Sequence, residues 1–318
     1  MGEATCGVDL GGTKIQAVVL GPDGIIGQAR VPTPRSTADE VIAAIVDAAK
    51  ASLDQAGLQA GDLSGVGIGS PGTIDRDRGI VSLASNVPGF TEPVELGPRV
   101  SKELDGVPVK VDNDVRVAIL GEHARGAGRA FADLLGVFVG TGVGGGLVLG
   151  GAVREGRGSA GEIGHTVVKD GGRECGCGRR GCLEAYAGRG SMERTARELH
   201  AKGRKTILFD LMKKKGRDRL TSGVIADALE EGDKMAVRLI DEAVWALGIS
   251  LASAQNLLDV EAIMIGGGLG DRLGAPFIDR VAQAMQPRLF VSSRPPTMLT
   301  TKFGDLSGAL GAAVLAGG

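Results

Sequence analysis

Apolar positions along this chain follow two rhythms. Short unbroken runs closed by glycine read as buried strands, and stretches with an apolar residue every third or fourth place read as amphipathic helices. Residues 6–24, CGVDLGGTKIQAVVLGPDG, read as strand, tight turn at Gly11 and Gly12, and a second strand over Ile15 to Leu20. Thr37-Ala-Asp-Glu40 is a capping box ahead of Val41, Ile42, Ile45, Val46, Ala49 and Leu53 at helical spacing, with Gly57 closing the helix. A buried strand over 65–70 ends at Pro71-Gly72, and a loop-rich section containing Asn86-Val-Pro-Gly89 follows. The strand Val107 to Val111 delivers Asp112-Asn113-Asp114 to its carboxyl end. The next predicted helix, Val115 to Gly126, has Val117, Ile119, Leu120 and Ala124 as its buried side.

Residues 137–151, VFVGTGVGGGLVLGG, repeat the opening strand, glycine turn and strand. Val8-Asp-Leu-Gly-Gly-Thr13 and Phe138-Val-Gly-Thr-Gly142 each put a Thr-bearing turn between apolar runs, a faint internal duplication. Ala185 to Leu199 and Ile225 to Leu258 are predicted helical, the latter broken at Gly232-Asp233. The basic, glycine-interrupted segment Lys202 to Arg219 between them reads as a solvated loop or insertion. A strand Glu261 to Ile265 leads into Gly266-Gly267-Gly268, followed by a helix near Pro276 to Leu289 and a strand Met298 to Phe303. Asp305 is expected to cap a terminal helix over Leu306 to Leu315.

Composition removes several function classes. The 318 residues are 43% apolar, enough for a sizeable core, and the length suits two domains or one large one. A net charge of −2 offers no electrostatic attraction to nucleic acid or anionic membrane, and one Trp, one Tyr and seven Phe leave little for stacking on bases. Neither a basic, apolar leader nor an 18-residue apolar run occurs, so no membrane association is expected and a cytoplasmic location is. The spacing of Gly140, Gly142 and Gly145 fits a dinucleotide fingerprint, but glycines stand where its helix would start, and no P-loop motif is present.

Three stretches carry candidate chemistry. In residues 161–184, GEIGHTVVKDGGRECGCGRRGCLE, His165, Cys175, Cys177 and Cys182 read H-x9-C-x-C-x4-C, a closed tetrahedral set for a structural Zn²⁺. Isolated cysteines are usually small buried hydrophobes, but three of the four cluster here in a loop rich in Gly, Arg and Glu. Zinc on one imidazole nitrogen would leave the other free. Asp9 stands at the end of the first strand beside a glycine turn whose amides suit phosphate, where it could hold Mg²⁺ or its waters; a simple hairpin with a capping Asp is the alternative. Asn113 and Asp114 begin a helix, where one of them would be an N-cap and a carboxylate could serve as a general base.

Together these motifs resemble the ROK family of sugar kinases and sugar-responsive repressors, and within it the bacterial glucokinases. The matching residues are Asp9-Leu-Gly-Gly-Thr13, Asp112-Asn-Asp114, Gly140 to Gly146, Gly161-Glu-Ile-Gly-His165, Cys175 to Glu184 and Gly266 to Gly268, spanning nearly the whole chain. The resemblance implies an actin-like ATPase (ribonuclease H-like) fold, with two α/β domains around a central cleft for ATP and sugar. One domain would be 1–113 with 305–318, the other 114–304. It implies phosphorylation of glucose on its 6-hydroxyl by ATP, with Asp114 as general base. Asn113, Glu162, His165 and Glu184 would hold the sugar, with Gly72 and Asn86 in the loops that set specificity. Asp9, Gly11, Gly12, Thr13 and Lys14, with Gly140, Thr141 and Gly142, would line the phosphates of Mg-ATP, and Gly266, Gly267 and Gly268 would approach the adenosine. ROK repressors carry a helix-turn-helix ahead of the first strand, which here begins by Gly7, so the kinase branch is expected. The cysteine cluster favours ATP over polyphosphate as donor. A homo-dimer or homo-tetramer is expected by family analogy. Open alternatives are another hexose or N-acylhexosamine (mannose, fructose, N-acetylglucosamine, N-acetylmannosamine) or a non-catalytic sugar sensor.

Overall fold

The apolar run and glycine turn at the start of the chain fold as the sequence predicts, and they seed the first of two sheets in this computed structural model, which describes residues 4–84 and 86–318. Strands β1 (Ala4–Leu10), β2 (Lys14–Gly21) and β3 (Gly24–Pro32) form an antiparallel meander. Helix α1 (Ala38–Ala56) follows, capped by Thr37, whose hydroxyl accepts from the Glu40 N–H at 3.3 Å, and ended by Gly57 at φ 69°. Half of the predicted capping box is present: the Glu40 carboxylate is taken by the Ser36 hydroxyl. Strand β4 (Leu63–Ser70) runs parallel to β1, the small hairpin β5 (Thr73–Asp75) and β6 (Ile80–Ser82) follows, and helix α2 (Leu96–Glu103) leads to β7 (Val109–Asn113), parallel to β4. The sheet order is β3-β2-β1-β4-β7.

One face of this sheet packs on α1 and buries Leu10, Ile15, Ile45, Leu53, Ile68 and Phe90 completely. Each such side chain contributes roughly 1.5–3 kcal/mol. The other face takes α3 (Asp114–Arg125) and the chain's last helix (Ser307–Gly317). Glycines make that approach possible. A Cβ at Gly7 would lie 2.0 Å from the Ala309 carbonyl oxygen, and one at Gly67 would lie 1.8 Å from that of Ala312. The buried side of α3 includes Val117 and Ile119, as expected, but also Glu122, which accepts from the Ser307 hydroxyl at 2.6 Å and the Ala127 N–H at 3.0 Å; Leu120 and Ala124 are only half-buried. Because α3 packs into this sheet, the first compact unit is 1–129 with 305–318, and the second is 130–304, instead of the expected division at 113/114.

The second unit repeats the topology. Strands β8 (Leu134–Val139), β9 (Val143–Leu149) and β10 (Ala152–Arg154) form an antiparallel meander. Helices α4 (Glu184–Ala187), α5 (Arg189–Ala201), α6 (Leu208–Lys214), α7 (Ser222–Glu230) and α8 (Lys234–Leu258) come next. Strand β11 (Ala262–Gly266) then lies parallel to both β8 and β12 (Thr297–Thr300), with α9 (Gly267–Met285) between β11 and β12 in sequence. The order β10-β9-β8-β11-β12 is strand for strand that of the first unit, which is the duplication the two glycine turns foreshadow.

Three local expectations are corrected. Within the segment expected to be a solvated loop, α6 buries Leu208, Leu211 and Met212. Helix α9 starts at Gly267 and is interrupted at Gly274, whose φ is 61° and ψ −152°, just before Pro276. Asp305 does not cap the last helix: Leu306 is the N-cap residue without a side-chain bond, and Asp305 pairs with Lys14 at 2.6 Å. Among the described residues, no helix is long and apolar enough to cross a membrane.

Candidate functional site

In the first unit, the candidate residues gather at the carboxyl ends of β1, β4 and β7. The Gly11–Thr13 turn is exposed but pinned from behind: Thr33 donates through its hydroxyl to the Gly11 carbonyl at 2.6 Å and through its N–H to that of Thr13 at 3.1 Å. A Cβ at Gly12 would lie 2.6 Å from the Asn86 carbonyl oxygen, so the Asn86 loop rests directly on the turn. Gly72, at φ 96°, lies against Ser82 and Ala84 of the same loop region. Lys14 is held by Asp305.

Asp9 faces the N-terminal end of the last helix; a Cβ at Gly308 would lie 2.7 Å from the Asp9 carboxyl carbon. Burial pushes the Asp9 carboxyl up to about 7, the nearby Asp114 carboxylate adds to this, the Lys14 ammonium opposes it, and Asp305 adds a little more. A carboxyl held up in this way by burial and a neighbouring carboxylate would be relieved by a nearby cation.

Asn113 is the N-cap of α3: its Oδ1 accepts from the N–H groups of Val115 and Arg116, each at 3.1 Å. Asp114 is the first residue of the helix, with Oδ1 2.9 Å from the Val115 N–H. Asp112 is buried between Arg76 at 3.2 Å and Arg116 at 2.8 Å. Thus, of the three polar residues in a row, one caps, one anchors two arginines and one begins the helix.

In the second unit, the segment 161–165 lies flat on β9 because glycine faces glycine. A Cβ at Gly164 would lie 1.9 Å from the Val143 carbonyl oxygen, and one at Gly161 (φ 87°) 2.5 Å from the Gly146 Cα. That contact fixes where Glu162, exposed, and His165, half-buried, emerge. The cysteine loop folds as a tight hairpin, Glu174 bridging Arg180 and Val167 bridging Cys182, with Gly178 and Gly181 at φ 82° and 83°. Glu184, opening α4, links this loop to the β8–β9 turn: its Oε2 accepts from the Val143 N–H at 2.9 Å and its Oε1 lies 3.5 Å from the Cys175 sulfur.

His165, Cys175, Cys177 and Cys182 bring one donor atom each within 4.8 Å of one another. The Cys177 and Cys182 sulfurs are 3.8 Å apart, and the Cys175 sulfur is 3.8 Å from His165 Nδ1. Tetrahedral zinc with Zn–S bonds of about 2.3 Å separates its sulfurs by about 3.8 Å, so the set fits the ion. Burial pushes the Cys175 thiol up to about 12 and raises Cys182, while the backbone N–H of Arg179 draws Cys177 down to about 6. A bound cation holds all such ligands as thiolates.

The Gly140-Thr141-Gly142 turn is braced by the start of α5, where the N–H groups of Arg189 and Gly190 donate to the Gly140 and Thr141 carbonyls at 3.1 and 2.9 Å. Gly266 and Gly267 begin α9 against β8: a Cβ at Gly267 would lie 2.8 Å from the Val139 nitrogen. Arg189 was not singled out from the sequence. Its one sequence signal is a lone cation between two glycines at a helix start, Gly188-Arg-Gly190.

The ROK family profile matches residues 5–318. A glucokinase of Halalkalibacterium halodurans is 36% identical over 89% of this chain and 86% of its own length. An N-acetyl-D-glucosamine kinase of Haemophilus influenzae is 29% identical over 97% of this chain and 98% of its own. Among solved structures, the crystal structure of a ROK family glucokinase from Streptomyces griseus in complex with glucose and AMPPNP superposes with a TM-score of 0.83 at 34% identity, covering 98% of this chain and 99% of that one.

Proposed function

The chain belongs to the ROK family, and from that premise we propose that it phosphorylates glucose on the 6-hydroxyl with ATP, giving glucose 6-phosphate and ADP. The reading rests most heavily on one observation: a three-cysteine, one-histidine cluster bonded through Glu184 to Val143, which directly follows the Gly140–Gly142 turn. The likeness to the glucose- and AMPPNP-bound neighbour supports the same substrates.

Asp114 acts as general base. It takes the proton of the sugar hydroxyl as that oxygen bonds to the γ-phosphorus and the bond from that phosphorus to ADP breaks. A helix N-terminus favours the ionised carboxylate such a base needs. Asn113 presents its amide nitrogen to the sugar, its oxygen being committed to capping. Glu162, His165 and Glu184 hold further sugar hydroxyls, with Gly72 and Asn86 shaping the loops around them. The turns Gly11–Thr13 and Gly140–Gly142 present backbone to the phosphates, and Gly266 to Gly268 let the adenosine come close.

His165 through Nδ1, with Cys175, Cys177 and Cys182, would hold Zn²⁺, which would fix the loop and the ring orientation. Asp9 would hold the Mg²⁺ that arrives with ATP, or its waters, where such an ion would supply charge to offset the phosphates. A coupled assay with glucose and Mg-ATP tests the activity, and absence of phosphoryl transfer to any hexose refutes it. Similarity to an N-acetyl-D-glucosamine kinase favours one second reading, an N-acylhexosamine as substrate. Competition among glucose, mannose, fructose, N-acetylglucosamine and N-acetylmannosamine decides between them.

A further inference from the structure

Three buried side-chain polar atoms of the second unit have no hydrogen-bond partner among the described residues, and two of them lie at one place. These two are Nε of Arg189 and Oγ of Ser222. Ser222 is 8% exposed and opens α7; its hydroxyl lies 3.3 Å from where a Cβ on Gly268 would stand. Arg189 opens α5, with one terminal nitrogen 3.3 Å from the Thr141 hydroxyl and also 3.9 Å from that same Gly268 position. The amino ends of α5, α7 and α9 therefore converge on one guanidinium.

That arrangement is unfavourable for the protein alone. A helix amino end carries partial positive charge and disfavours a cation. Burial also depresses the Arg189 guanidinium below its ordinary value. An orphaned buried donor adds a desolvation cost. A cation, orphaned donors and three helix amino ends together form a cradle for an anion, with a hydroxyl partner beside it.

We propose that Arg189 binds the phosphate of the nucleotide nearest its ribose and that Ser222 bonds a ribose hydroxyl. Their positions set the assignment. Arg189 reaches from Thr141, on the turn read above as facing the phosphates, toward Gly268, read as facing the adenosine, and Ser222 lies on the Gly268 side. The inference rests on the nucleotide reading of those two turns. It adds two residues that discriminate a nucleoside phosphate from a nucleoside.

The test is calorimetric titration of ADP and of adenosine into the full-length protein, with glucose titration as a check on the fold. Arg189→Met should weaken ADP binding at least tenfold and leave adenosine and glucose within twofold. Ser222→Ala should weaken ADP and adenosine by a similar factor. Arg189→Lys, which keeps charge but lacks Nε, should lose less ADP affinity than the Met variant and carries the same comparison if that variant does not fold. Equal loss of ADP and adenosine in the Arg189 variants, or unchanged ADP binding, overturns the phosphate assignment. Unchanged adenosine binding in Ser222→Ala overturns the ribose one. If the unaltered protein binds neither ADP nor adenosine, the nucleotide reading falls and this inference with it, whereas tight ADP binding that survives both substitutions refutes this inference alone.

Discussion

His165 turns its Nδ1 toward the sulfur of Cys175, 3.8 Å away. The ring's other nitrogen is thereby left for a different partner, so on the proposed function metal binding and sugar binding would meet in one imidazole. Stripping zinc with a strong chelator should lower the melting temperature and the affinity for glucose together, and elemental analysis should find one zinc per chain beforehand. Loss of turnover with unchanged melting would instead mark the metal as catalytic.

The general-base assignment is tested at one atom. Asp114→Asn keeps the size and much of the helix-start bonding, so glucose affinity should stay nearly constant while kcat falls by about two or more orders of magnitude. Retention of most of the activity would remove Asp114 from the chemistry.

Asp9 carries a pH signature. Its folded-state carboxyl titrates near 7, well above the ordinary value of 3.8. The native state therefore holds this proton more tightly than the unfolded chain does, and the group's contribution to stability is present in full at acid pH and is lost as pH rises from about 4 to 7. In the absence of ligand, Asp9→Asn should raise the melting temperature at pH 8 by more than at pH 5. An equal shift at both would mean that Asp9 is not protonated by its surroundings.

Gly164→Ala tests the close packing beneath His165. The added methyl would stand 1.9 Å from the Val143 carbonyl oxygen, so the 161–165 segment must lift. Overpacking of this kind costs about 1–3 kcal/mol. Calorimetry should show weaker glucose binding together with a lower melting temperature. A variant that binds glucose normally would show that the flush contact with β9 does not position the ring.

Much of this was readable because the chemistry is local in sequence. The cysteine cluster, the paired glycine turns and the Asn113 cap all lie within single short segments, where spacing alone brings the atoms together. What escaped depends on distant segments. The place of α3 in the first unit follows from glycine contacts with a helix near the other end of the chain, such as a Cβ at Gly311 falling 1.6 Å from the Val117 carbonyl oxygen. Lys14 and Asp305 pair across almost the whole chain, and nothing near either announces the other. The basic character of 202–219 hid α6, whose Leu208, Leu211 and Met212 supply just enough of a buried face to fold it. Arg189 was missed because an isolated arginine is ordinarily solvated, and only its orphaned Nε sets it apart.

The glycines of β1 and β4 that receive the last helix impose an order on biosynthesis. Residues 130–304 must all leave the ribosome before Ser307–Gly317 exists to cover Gly7 and Gly67. At ordinary translation speeds that is a delay on the order of ten seconds or more. Throughout it the earlier-made sheet has α3 but not the last helix over that face, so β1 and β4 stay partly uncovered, and any protein shortened at its carboxyl end would lack that cover.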